Sequence, residues 1–190
     1  MAISKHTMKI LVNIILLVSL TTLGQSVSVD EKNLMEKADA YLVALNTNEA
    51  KDLPTDEDRL KVRGETDISL YSSLKAYETF NLLVEKYPSS EKFIYYLYYK
   101  SLSALEYENY AVAKDGFLKI VELNHINWQY YTRKSYIFLA EIAVTEKDYI
   151  SAQMYLERKS KKSLMGHEIR IEELQLKYLN EKITEGLKRK

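Results

Sequence analysis

Tyr110-Ala111-Val112-Ala113-Lys114-Asp115-Gly116-Phe117-Leu118-Lys119-Ile120 sets a small Ala one helical turn ahead of a bulky Phe. Ala76-Tyr77-Glu78-Thr79-Phe80 precedes it with the same arrangement, and Tyr149-Ile150-Ser151-Ala152-Gln153-Met154-Tyr155-Leu156 repeats it again. The later two copies also carry Tyr three residues before the Ala, and the Ala-to-Ala spacings are 37 and 39 residues. A period of this size marks stacked helical hairpins, each unable to bury its apolar face alone. The reason for the residue types is steric. Ala lets two antiparallel helices approach closely, and the large residue one turn later fills the groove between successive hairpins.

Working outward, apolar spacing predicts seven helices, at about 31–46, 69–87, 91–106, 109–123, 127–145, 148–162 and 167–188. Pro88-Ser89-Ser90 stops the second, Asn124-His125 stops the fourth, and Gly166 precedes the seventh. Five Gly and two Pro in 190 residues argue against a turn-rich β architecture. The expected fold is all-α: a short α-solenoid of about three antiparallel helical hairpins plus a C-terminal capping helix.

The first 24 residues read as an address. Lys5, His6 and Lys9 lead into the apolar run Ile10 to Leu20, and Thr21-Thr22-Leu23-Gly24 offers small residues for a signal peptidase. Cleavage is expected after Gly24, with Ser26 and Ser28 as alternatives. The run from Ile10 to Gly24 is short of the roughly 20 residues that cross a bilayer, and no later stretch is apolar enough to span. The protein is therefore expected to be exported, periplasmic or extracellular, with no membrane span after leader removal. The expected division is a signal peptide over 1–24, a helical repeat domain over 25–162 and a capping helix over 163–190.

Zero Cys excludes disulfides, thiolate metal sites and a Cys nucleophile. Without the leader the chain carries 25 basic and 27 acidic groups, a net charge of −2, which gives no electrostatic case for nucleic acid. Thr47 to Asp67 stands apart as a polar stretch with Pro54, Gly64 and the acidic run Asp56-Glu57-Asp58. Thr55-x-x-Asp58 can start one short helix there over Asp56–Arg63. A mobile insertion is the expected state of the rest.

On these residues the chain resembles the tetratricopeptide repeat family. Tyr136, Leu139, Ala140, Ala143, Tyr149, Ala152 and Leu156 of the third repeat stand at matching offsets. Ala76, Phe80, Leu83 and Pro88 match in the first repeat, with Leu34, Ala38 and Tyr41 as its first helix. That choice puts the insertion inside a hairpin. The rival, Leu60 with Gly64, leaves Asp67 where an aromatic belongs. Lys100 stands where the second repeat expects Leu, so its register can slip by one. The spacings of 37 and 39 exceed the family's roughly 34 residues. The resemblance implies a preformed concave surface that docks a peptide or protein segment. Similar exported repeat proteins serve envelope assembly, secretion or cell-surface machines.

Little in the chain can carry chemistry. His125 and His167 lie at helix borders, and no phosphate loop, GxSxG, HExxH or EF-hand pattern occurs. Glu106/Glu108 and Glu172/Glu173 have no neighbour in sequence to split them into acid and base roles. No enzyme, cofactor or metal site is expected. The unusual feature is tyrosine, with sixteen against one Trp and four Phe. Tyr95-Tyr96-Leu97-Tyr98-Tyr99 lies in one first helix, and Trp128, Tyr130 and Tyr131 open the next. At about 100° per residue these tyrosines cannot all point one way, so some are core and others exposed. Tyr combines a rigid apolar body with a hydrogen-bonding tip. Tyr95, Tyr98, Tyr99 and Tyr131 are thus the expected partner-binding residues, with Lys134 as a compatible cation. The family's Lys/Asn/Arg clamp for a C-terminal carboxylate is not evident, because Met35, Asp39 and Phe138 hold its other positions.

The last helix shows two stripes. Ile169, Leu176, Leu179, Ile183 and Leu187 form one, and Ile171, Leu174 and Tyr178 form another, roughly opposite. The first suits a cap on the last hairpin. The second is a candidate association face for another copy or a partner, the runner-up to groove docking. Charge is uneven as well: residues 25–70 hold 6 basic and 11 acidic groups, and residues 156–190 hold 10 and 6.

Overall fold

The computed structural model describes residues 28–63, 67–159 and 167–188. Among these lie eight α-helices and no strand: α1 (Val29–Thr47), α2 (Asp56–Lys61), α3 (Ile68–Lys86), α4 (Phe93–Glu106), α5 (Tyr110–Leu123), α6 (Gln129–Thr145), α7 (Tyr149–Arg158) and α8 (His167–Lys188). The seven helices expected from apolar spacing are all present, and α2 is the short helix expected after Thr55. The leader lies outside the described residues.

Side chains set the helix starts. Ser28, Thr55, Asp67, Asn109 and Asp148 each accept a hydrogen bond from a backbone N–H of the first turn they precede. Packing then follows chain order: α1 on α3, α3 on α4, α4 on α5, α5 on α6, α6 on α7, with α8 against α7 and α6. The hairpins are α1/α3, α4/α5 and α6/α7, an all-α helical-repeat fold. Ala76, Ala113 and Ala152, the residues that revealed the period, are each 0% exposed. At Gly116 a Cβ would lie 1.9 Å from Ser101 Oγ, so α4 and α5 approach closely there and a larger residue would have to displace the Ser101 side chain.

The period is also written in the backbone. Glu108 and Lys147, 39 residues apart, both take the left-handed conformation, at φ 65° and 61°. The following N–H groups, of Asn109 and Asp148, reach back 2.8 Å to the carbonyls of Ala104 and Ala143. Asn109 and Asp148 then cap α5 and α7. The second repeat therefore keeps the register of the third, and Lys100 occupies the position of the fully buried Leu139. Burial holds the Lys100 ammonium below its usual pKa, and its Nζ lies 5.9 Å from the centroid of the Tyr77 ring.

The first hairpin departs from this plan. α1 supplies its first helix, while Leu60 of the rival choice is exposed on α2. Residues 48–63 are packed, unlike the mobile insertion expected. Leu53 and Val62 join the core around Tyr41, Ala76 and Phe80. Asp58, only 6% exposed, accepts hydrogen bonds from Tyr41 (2.9 Å), Tyr71 (2.6 Å) and Thr55 (2.6 Å). Two buried apolar side chains and one carboxylate thus fasten the segment across α1 and α3.

At the other end Leu179 and Ile183 of α8 pack on Ile137, Ala140, Ala143 and Ala152. Leu174 and Tyr178 face away, 63% and 55% exposed. The side chain of Ile171 lies outside the described residues. Among the described residues no helix is long and apolar enough to cross a membrane.

Candidate functional site

The first helices of the three hairpins, α1, α4 and α6, share one face, and the tyrosines of α4 divide around it. Tyr96 is wholly buried and donates to Glu31 Oε1 of α1 at 2.7 Å. Tyr98 is a correction to the expected site. It is 5% exposed, packed against Phe117, Phe138 and Tyr131, and belongs to the core between hairpins. Tyr95 and Tyr99, one turn apart with ring centroids 4.7 Å apart, are half-buried and look toward α1. Tyr131 of α6 stands within 6.2 Å and 6.3 Å of them, and Tyr98 meets the same cluster from the core side, 4.7 Å from Tyr131 and 5.1 Å from Tyr99. Phe80 of α3 stacks beneath Tyr99 at 5.7 Å. Contacts of this kind contribute about 0.5–1.5 kcal/mol each beyond area burial, and they make the tyrosine edge rigid.

Between α1 and α4 lies a groove of about 270 Å³. Leu42, Val43, Leu102, Tyr95 and Tyr99 give it apolar walls, with Asp39, Asn46, Ser103 and Glu106 as its polar groups. Tyr95 donates to Asp39 Oδ1 at 2.6 Å, fixing one wall to the other. Burial pushes the Asp39 carboxyl above the usual range; the Tyr95 hydrogen bond and the Lys92 charge offset part of this, and Glu36 adds to it. Burial likewise raises the Tyr131 phenol to about 12, helped by its phenolic neighbours and Asp39. Farther along the same face burial raises Glu141, with Glu106 repelling it and a Gln175 hydrogen bond relieving it.

Lys134 does not join the tyrosines as an open cation. Glu172 of α8, 2% exposed, faces both Arg133 and Lys134, with Arg133 Nε 2.8 Å and Lys134 Nζ 3.3 Å from its oxygens. Burial works against this carboxylate, but the Arg133 hydrogen bond and the two positive charges outweigh it and hold Glu172 below its usual pKa. The arrangement offers contact surface and fixed charge. The sequence places Asp39 on the docking side only as a misfit to the family's clamp, and its pairing with Tyr95 is hidden there because the two are 56 positions apart. Neither a known protein family, nor a characterised protein, nor a solved structure matches this chain.

Proposed function

We propose that this chain is an exported, non-catalytic docking scaffold of the tetratricopeptide-like type, seating a segment of a peptide or protein partner in the cell envelope. The observation that carries the reading is the α1/α4 groove with its fixed tyrosine edge. Tyr95 is already held by Asp39 and Tyr99 by Phe80, so docking orders little that is not ordered beforehand. Partly exposed tyrosines in such a setting are the residues that concentrate binding energy. Export rests on the leader-like residues 1–24.

A second reading has its own support. Leu174 and Tyr178, one turn apart on α8, present an exposed apolar stripe, which suits a structural subunit that associates through its terminal helix.

Photo-crosslinking in the producing cells separates the two. A benzophenone side chain is placed at Val43 in the groove wall, at Leu174 on α8, or at Ile150, exposed on α7. Groove docking yields a discrete adduct from position 43, removed by the second change Asn46→Trp, whose bulk obstructs the groove whatever the partner's charge. An adduct from position 174 alone transfers the function to α8. Equal adducts from all three positions contradict both readings.

A further inference from the structure

We propose, building on the docking reading, that the α1/α4 groove seats a lysine or arginine side chain of the partner segment. The groove volume of about 270 Å³, at the small end for a ligand site, admits one long side chain. Its two charged lining residues, Asp39 and Glu106, are both acidic. Glu141 extends the negative charge onto α6, close enough to Glu106 to feel its repulsion. The neighbouring cations are engaged: Arg133 and Lys134 face Glu172, and Lys92 lies with its Nζ 3.2 Å from Met35 Sδ while its charge reaches Asp39. Acid thus exceeds base along the groove, and Asp39 is partly desolvated already, the situation a partner cation relieves.

The groove walls suit a lysine or arginine side chain as well. A methylene stem lies along Leu42 and Leu102, and a cationic head near Tyr95 and Tyr99 gains from their ring faces.

The test begins with a random twelve-residue peptide library displayed on phage, selected on the immobilised protein and in parallel on Asn46→Trp, which obstructs the groove by bulk and so defines groove dependence, and on Asn46→Arg. Asn46 is exposed at the end of α1, so a cation placed there repels basic ligands without disturbing the core. Wild-type selections enriched in Lys or Arg and lost on both variants support the proposal. Groove-dependent selections without basic residues overturn it and leave the docking function standing. An absence of any groove-dependent peptide overturns both. For an enriched peptide carrying a fluorescent label, Asp39→Asn/Glu106→Gln weakens binding by about tenfold or more, and raising salt from about 50 to about 500 mM weakens binding to wild type. Glu106→Gln alone, at an exposed position, keeps the comparison valid should the double variant fold poorly. Equal affinity of the folded variants and wild type overturns the proposal.

Discussion

Asp58 accepts hydroxyls from Tyr41 on α1, Tyr71 on α3 and Thr55 at its own helix start, and so joins three elements through one carboxylate. Burial alone would raise its pKa, but the three hydrogen bonds and the Lys37 charge prevail, and the carboxyl is held below the usual range. A depressed folded pKa gives stability that is complete above the unfolded value, about 3.9, and is lost as pH falls through the folded one. Glu172 acts in the same direction. Asp39 acts oppositely: its raised folded pKa makes ionisation unfavourable, so falling pH stabilises through it before Asp58 fails. Asp58→Ala costs about 2–4 kcal/mol at neutral pH, since Tyr41 is left buried without its acceptor. Asp58→Asn flattens the acid limb of stability against pH. Denaturant unfolding across pH 2 to 7 checks both, and a limb parallel to wild type would refute the assignment. Glu108 and Lys147 give a second prediction. Both hold a left-handed conformation that Gly adopts without strain. Glu108→Gly and Lys147→Gly should each raise stability by up to about 1 kcal/mol, where Gly elsewhere in a helix lowers it.

At the scale of elements, the Ala residues carry the stacking. Ala113→Leu or Ala152→Leu overpacks a hairpin and costs on the order of 1–3 kcal/mol. Melting temperatures unchanged in both variants would refute the repeat. This part was legible in the sequence, because a small residue followed one turn later by a large one repeats with the hairpin and needs no knowledge of partners. The tyrosines of α4 were legible only in part. Spacing showed that Tyr95 to Tyr99 must divide, yet it could not assign Tyr96 to Glu31 or Tyr98 to the core, since those depend on what other helices bring. α8 reads as two faces of unequal weight. Leu179→Ala, at a position 1% exposed, should cost about 2–5 kcal/mol. Leu174→Glu, on the exposed stripe, should change folding stability by less than about 0.5 kcal/mol. Light scattering of wild type and Leu174→Glu checks the association role: a monomer in both cases removes self-association, and a wild-type dimer lost in the variant establishes it.

Across the whole molecule, three hairpins stack in order while residues 48–63 cover the first and α8 covers the last. End caps of this kind let a quasi-linear stack keep its apolar ends from water. The C-terminal cap was readable from its apolar stripe. The other was not, because Leu53 and Val62 stand in polar sequence with no helical or strand period between them, and only the fold brings them onto Tyr41 and Phe80. The pairing of Lys134 with Glu172 was hidden for a similar reason, the two lying 38 residues apart along the chain. The groove exists because the same stacking sets α1 beside α4, with Asp39 and Tyr95 bridging them. The most direct test of that central claim is amide NMR shift mapping of the protein titrated with a basic peptide from the library selection. Groove docking of a basic side chain gives shifts confined to the α1 stretch around Leu42 to Asn46 and the α4 stretch from Tyr95 to Glu106. Shifts centred on Leu174 and Tyr178, or spread evenly over the chain, would contradict it.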